Sequence, residues 1–148
     1  MTELWLVRHG QTDWNTEFRI QGSIDKPLNA TGIEQAHALA QKLKDTHFDA
    51  IYSSPARRAH QTASAIAQLL GLPIRTDDRL KEISLGLWEG LTWQQVQDRY
   101  PEMFAKRKSD PVHFAPEGAE TYGDLARRMV QAANEIALSH PGERVLVV

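Results

Sequence analysis

Leu4-Trp5-Leu6-Val7-Arg8-His9-Gly10 opens the chain with a short apolar run that breaks abruptly on Arg8, His9 and Gly10. Such a run, with no polar alternation, reads as a strand buried on both faces, as strands of parallel sheets are. The rest of the chain fits around it. Thr31 to about Asp45 reads as a helix, with Thr31 as N-cap and Glu34 completing a capping box. Ile33, Ala36, Leu39, Ala40 and Leu43 fall on one stripe of it. Ala50 to Ser53 is a second short strand, and Arg57 to Leu70 a second helix, capped by Gly71 and stopped by Pro73. Ile74 to Thr76 is a weaker strand, expected near a sheet edge, and Leu80 to Gly90 has no clear period and reads as a loop. Thr92 and Gln95 open a short helix that Pro101 ends, and Lys106 to Gly118 is a polar connection. Thr121 to about Ser139 is the longest helix, with Leu125, Met129, Ala132, Ala133 and Ile136 on one face. His140-Pro141-Gly142 then turns the chain into the strand Val145 to Val148. Strands alternating with helices predict a three-layer α/β/α sandwich with a largely parallel central sheet.

The 148 residues are a length for a single domain, with no internal repeat or linker. Lys+Arg is 17 and Asp+Glu is 19, a formal charge of −2, so nothing points to nucleic acid or an anionic membrane surface. Cysteine is absent, which removes disulfides, thiol catalysis and cysteine-based zinc sites. No segment approaches the ~20 apolar residues of a membrane-spanning helix. No basic stretch followed by an apolar core marks a signal peptide. The expected location is the cytoplasm. His37, His47, His60, His113 and His140 show no metal-ligand spacing, so no metal and no cofactor are expected.

Ligands of open parallel sheets bind outside the carboxyl ends of the strands. The first strand runs into Arg8-His9-Gly10 and the second into Ser53-Ser54-Pro55-Ala56-Arg57-Arg58, so both deliver cationic groups to one edge. A histidine among arginines, with a glycine that permits close backbone approach, suits a phosphoryl group. Glu82, in the loop after the third strand, is placed to give a proton to a departing alkoxide. Arg57 reads as a surface residue or a secondary substrate contact. Asn15, Gln21 and Thr12 read as phosphate contacts or loop braces. Glu89 reads as structural, Trp5 and Trp88 as core, and Lys106-Arg107-Lys108 as a solvated helix end.

These residues carry a resemblance. Leu6-Val7-Arg8-His9-Gly10-Gln11-Thr12 with Trp14-Asn15, Gln21-Gly22, Pro27-Leu28-Asn29 and Thr31-Gly32 resemble, in order, the opening blocks of the histidine phosphatase superfamily, the phosphoglycerate mutase-like proteins. Ser53-Ser54-Pro55 with Arg58-Ala59 and Gln61-Thr62-Ala63 resembles its second motif, and Leu80-Lys81-Glu82 with Gly86 and Trp88-Glu89-Gly90 its acid loop. Pro116, Gly118, Glu120 and Arg128 fit its later pattern, so the resemblance covers essentially the whole chain.

The resemblance implies phosphoryl transfer in two steps. His9 would attack phosphorus and become phosphohistidine. Arg8, Arg58 and Asn15 would hold the phosphoryl oxygens, with Gln21, Gly22 and Thr12 as further substrate contacts. Glu82 would act as acid and then as base, and no metal would be needed. The partner would be a small phosphorylated metabolite, and the pattern is compatible with a homodimer without specifying one. Glu82-Ile83-Ser84-Leu85-Gly86-Leu87-Trp88 looks like the phosphatase branch rather than the cofactor-dependent mutases. A phosphoglycerate mutase and a non-catalytic phosphate-binding protein are the alternatives. In the family, a strand like Val145 to Val148 leads into a Ser-His-Gly motif with a second phosphate-ligating histidine. The resemblance therefore implies residues 1–148 of one domain whose C-terminal part is missing, weakly stable and nearly inactive alone.

Overall fold

The computed structural model describes all residues 1–148. Four parallel strands form the sheet: β1 (Glu3–Leu6), β2 (Ala50–Ser53), β3 (Ile74–Thr76) and β4 (Arg144–Val147), in the order β1-β4-β2-β3. Six helices join them: α1 (Asp13–Thr16), α2 (Ala30–Leu43), α3 (Arg57–Leu70), α4 (Trp93–Arg99), α5 (Pro101–Ser109) and α6 (Tyr122–Ser139). Alternation along the central strands decides what each face buries. Ile51 and Leu146 point to α2 and α3, where they meet Leu43, Ala63 and Ile66, together with Phe48 from the connection before β2. Ala50, Val145 and Val147 point the other way, onto Ile136 of α6. The three layers expected from the sequence follow. A separate core under α4 and α5, made of Ile20, Ile83, Leu85, Trp88 and Val96, packs the long loops.

Four local readings are corrected. Within residues 1–148 the first strand lies at a sheet edge: Leu6 is 78% and Trp5 40% exposed, so Trp5 is not a core residue among them. Its sole neighbour is β4, and an apolar groove runs between Leu4, Leu6 and Met129. The cap of α2 is Asn29, whose carboxamide oxygen accepts the Gly32 N–H at 2.9 Å, and not Thr31. Asn caps as well as Thr does, and it starts the helix two residues earlier. Pro101 does not only end α4; it occupies the first turn of α5, where its missing N–H costs nothing. Arg107 is buried rather than solvated.

Gly10 also serves a different end from the one expected. A Cβ there would overlap the carbonyl oxygen of Gly32, and a Cβ on Gly32 would overlap the carbonyl of Gln11. The two glycines let the start of α2 press backbone to backbone against the loop after β1. The Gly10 N–H is then donated to Thr62 Oγ1 of α3 at 3.0 Å. Both helices thus fix the turn that carries His9.

Candidate functional site

All four strands are parallel, so their carboxyl ends share one edge, and His9 stands at that edge three residues after the last pairing of β1 with β4, Leu6 with Val147. The cleft there has a volume of about 260 Å³ and is lined by Arg8, His9, Gly10, Gln11, Asn15 and Gln35, none of them hydrophobic. His9 is half-buried. Its Nδ1 lies 2.7 Å from the carbonyl oxygen of Gly10. A carbonyl oxygen only accepts, so Nδ1 carries the hydrogen and Nε2 keeps its lone pair. Burial holds the imidazole below its ordinary titration range. The Gly10 hydrogen bond opposes that shift, the charges of Arg58 and Arg8 add to it, and Glu82 opposes it. The arginines and Glu82 named from the sequence are therefore near enough for their charges to act on His9.

Arg58 is 3% exposed on the first turn of α3. Its Nη1 and Nη2 donate to the carbonyls of Ile24 and Gly22 at 3.0 and 2.9 Å, which pins the loop before Asp25. Burial lowers its pKa, against the opposing charges of Glu82, Asp25 and Glu89. Gly22 is needed where it stands: its φ is +51°, and a Cβ would overlap the Glu89 carboxylate. That carboxylate accepts the Ser23 and Leu85 amides at 2.8 and 2.9 Å, tying the Gly22 loop to the acid loop.

Thr12, Asn15 and Gln21 brace one another. Thr12 is fully buried and caps α1; its Oγ1 lies 2.9 Å from Gln21 Oε1 and 3.0 Å from Asn15 Oδ1. Asn15 Oδ1 also accepts the Thr12 N–H at 2.8 Å, which leaves Nδ2 as the end of Asn15 with hydrogens to offer the cleft. Thr12 and Gln21 do not line the cleft; Asn15 does. Two lining residues, Gln11 and Gln35, were not singled out by the sequence. The Gln11 N–H is donated to Gln35 Oε1 at 2.9 Å. Gln11 belongs to the Arg-His-Gly stretch, but Gln35 had no signal beyond a polar face of α2.

Glu82 is exposed, with Oε1 accepting the Ile83 N–H at 2.8 Å. Its backbone is gripped from α6. Arg128 donates to the carbonyls of Arg79 and Lys81 at 2.7 and 2.6 Å and of Glu82 at 3.2 Å. Glu120 accepts from Arg128 Nε and Nη2 at 2.7 and 2.8 Å, and from the Ser84 N–H at 2.9 Å. Arg128 holds the Glu120 carboxyl below its ordinary range. Arg128 is thus a positioning residue for the acid loop, bonded to carbonyls on one side and a carboxylate on the other. We expect Arg128→Met to cost about 2–3 kcal/mol of stability, since it leaves partly buried acceptors unpaired. Urea unfolding measures this. The contribution of the depressed Glu120 is present above the unfolded pKa and is lost as pH falls through the folded one, so the gap between variant and parent narrows in acid.

Sequence comparison agrees with this arrangement. The model of the histidine phosphatase superfamily (branch 1) matches residues 4–148. The chain is 36% identical over 148 residues to phosphoserine phosphatase 1 of Hydrogenobacter thermophilus, covering all of this chain and 70% of that protein. It is 41% identical over 152 residues to a metal-independent phosphoserine phosphatase of Arabidopsis thaliana, covering all of this chain and 63% of the relative. Among solved structures, YhfR of Bacillus stearothermophilus superposes with a TM-score of 0.91 at 38% identity, over 100% of this chain and 73% of that one. A mycobacterial glucosyl-3-phosphoglycerate phosphatase with VO3 superposes at 0.87 and 37% identity, over 97% and 73%. The chain therefore spans about two thirds to three quarters of the length of these proteins. With the Arg-His-Gly turn standing at the strand ends of the same fold, the chain belongs to the histidine phosphatase superfamily, branch 1.

Proposed function

We propose that the protein is a phosphatase that hydrolyses a small phosphomonoester through a phosphohistidine on His9. The observation that carries this reading is the Nδ1–Gly10 hydrogen bond, which leaves Nε2 without a partner in a cleft that Arg8 and Asn15 also line. Nε2 attacks phosphorus and the ester P–O bond breaks. The departing alkoxide takes the proton of the Glu82 carboxyl. The Glu82 carboxylate then takes a proton from water, whose oxygen attacks phosphorus as the P–N bond breaks. Inorganic phosphate leaves, and His9 and Glu82 return to their starting forms. Arg8, Arg58 and the Asn15 amide hold the equatorial oxygens, where negative charge spreads in the transition state.

The names of the relatives support the class of substrate, since phosphoserine and glucosyl-3-phosphoglycerate are both phosphomonoesters. The phosphatase-like acid loop favours water over a second hydroxyl as acceptor. Incubation with phosphoserine, and separately with 3-phosphoglycerate plus 2,3-bisphosphoglycerate, tests this. Release of free phosphate supports it. Rapid formation of 2-phosphoglycerate with little free phosphate makes the protein a mutase.

The pH dependence follows from His9. The nucleophile must be neutral, and burial and the arginines disfavour its protonated form. Phosphorylation of His9 should therefore persist below the ordinary imidazole pKa of about 6.5 and fail only at lower pH. An NMR titration of the His9 ring with its midpoint above that value would contradict this.

A further inference from the structure

We infer that Gln35 of α2 is a positioning residue for His9, acting on it through the Gly10–Gln11 peptide group. The carbonyl oxygen of Gly10 and the N–H of Gln11 are the two ends of one planar amide. His9 Nδ1 lies 2.7 Å from that oxygen, and the N–H is donated to Gln35 Oε1 at 2.9 Å. The groups form one chain: His9 Nδ1–H to the Gly10 carbonyl, and the Gln11 N–H to the Gln35 carboxamide. Each bond in such a chain strengthens the next, by roughly 10–30%. Gln35 thus makes the Gly10 oxygen a better acceptor. It thereby favours the ring tautomer with hydrogen on Nδ1 and the lone pair on Nε2. That this lone pair attacks phosphorus rests on the function proposed above; the link from Gln35 to His9 does not.

Gln35 is not what holds the loop in place. The Gln11 carbonyl accepts the Asn29 N–H at 3.0 Å, and Gln11 Oε1 accepts from Asn29 Nδ2 at 3.2 Å. Gly10 is fixed by Thr62 and by its contact with Gly32. These contacts set the path of Gly10 and Gln11 without the Gln35 side chain, so its bond to the Gln11 N–H is free to serve another end. Its carboxamide is oriented by what it meets. A backbone N–H only donates, so Oε1 faces it, while the residue lines the cleft with Arg8, His9 and Asn15.

The charges that act on the titration of His9 are those of Arg58 on α3, Arg8 beside it and Glu82 in the acid loop; α2 contributes none to that set. Gln35 is neutral, so its influence runs through the bonds. A better Gly10 acceptor favours the protonated ring, which donates the stronger bond, and the bond to Gly10 holds the His9 pKa up against burial. The signs follow. Removing the acceptor of Gln35 should lower the His9 midpoint, and an acceptor as good or better should restore it. A side chain that merely steadied the loop would give no such ordering.

Gln35→Leu and Gln35→Glu test this in ¹⁵N-labelled protein, with the His9 ring followed by NMR through its Nδ1 and Nε2 signals across pH. The signals are assigned as those lost in His9→Ala. Leucine suits an exposed helix position and offers no acceptor, while glutamate keeps an acceptor of the same reach. Gln35→Leu should lower the His9 midpoint by about 0.2–0.5 pH unit and reduce the share of the Nδ1–H tautomer. Gln35→Glu should hold the midpoint at the parent's value or above. Repeating the titrations in roughly 1 M salt, where the Debye length is about 3 Å, separates the bond from the field of the new charge. A Gln35→Leu midpoint equal to the parent's would overturn the inference. So would a Gln35→Glu midpoint that falls, in that salt, to the value of Gln35→Leu. None of this requires turnover: should His9 of the parent take up no phosphate, the proposed function falls, and the midpoints still decide the link from Gln35 to His9.

Discussion

Replacing His9 with alanine should lower phosphomonoester turnover by about 10⁴-fold or more, the scale seen when a nucleophile is removed from a covalent mechanism. The fold should survive it. His9 is half-buried, its one hydrogen bond is to the neighbouring Gly10 carbonyl, and the backbone of the turn is held separately by Thr62 and by the packing of Gly10 on Gly32. The variant should therefore unfold with nearly the parent's midpoint while failing to take up phosphate from substrate. In the parent, the same tautomer argument fixes where the phosphate goes. Nδ1 is donated to Gly10, so ³¹P NMR of the acid-labile adduct should show phosphorus on Nε2. An adduct on Nδ1 would mean that the Gly10 contact breaks before attack. Undiminished turnover in His9→Ala would remove the histidine from the chemistry altogether.

The site became legible in the sequence because its chemistry sits in contiguous stretches. Arg8, His9 and Asn15 belong to one short stretch, the loop after β1 and the helix α1 that follows it, and strand polarity alone puts that stretch on the edge to which Arg58 is delivered. What the sequence could not report were contacts between distant segments. Arg128 holds carbonyls 46 to 49 residues away, and nothing in the pattern of α6 marks it as the residue that fixes Glu82. Gln35 faces the cleft from a helix side that reads as solvated. Thr12 shows the reverse limit: its place in the motif suggested a ligand, but full burial makes it a brace for Asn15. The exposure of the first strand within residues 1–148 was not legible for a general reason. An apolar run of four residues looks the same in the centre of a sheet and at its edge, because the partner that covers it lies elsewhere in the chain. Arg107 was hidden in a basic run whose neighbours, Lys106 and Lys108, are exposed as such runs usually are.

Arg58→Met separates two duties of one side chain, one seen in its hydrogen bonds and one that the proposed mechanism assigns to it. The first is mechanical. Its guanidinium ties the Gly22 and Ile24 carbonyls to α3 from a position 3% exposed. Methionine fills much of the same volume but donates nothing, leaving two carbonyls without their charged donor, at a cost of about 2–4 kcal/mol. The second is electrostatic. A fixed cation beside the phosphoryl oxygens contributes roughly 10²–10³ in rate, and the same charge disfavours protonation of His9. Arg58→Met should therefore lower kcat/KM by about that factor and also raise the His9 titration midpoint toward its ordinary value. A loop that merely loosened would lower activity without moving that midpoint in a consistent direction. Arg58→Lys distinguishes further: the ammonium keeps the charge but cannot reach both carbonyls as a planar fork does. Its His9 midpoint should stay near the parent's while its stability falls toward that of Arg58→Met. If the midpoint of Arg58→Met matches the parent's, Arg58 acts on the loop alone, and Arg8 is the cation that keeps the nucleophile neutral.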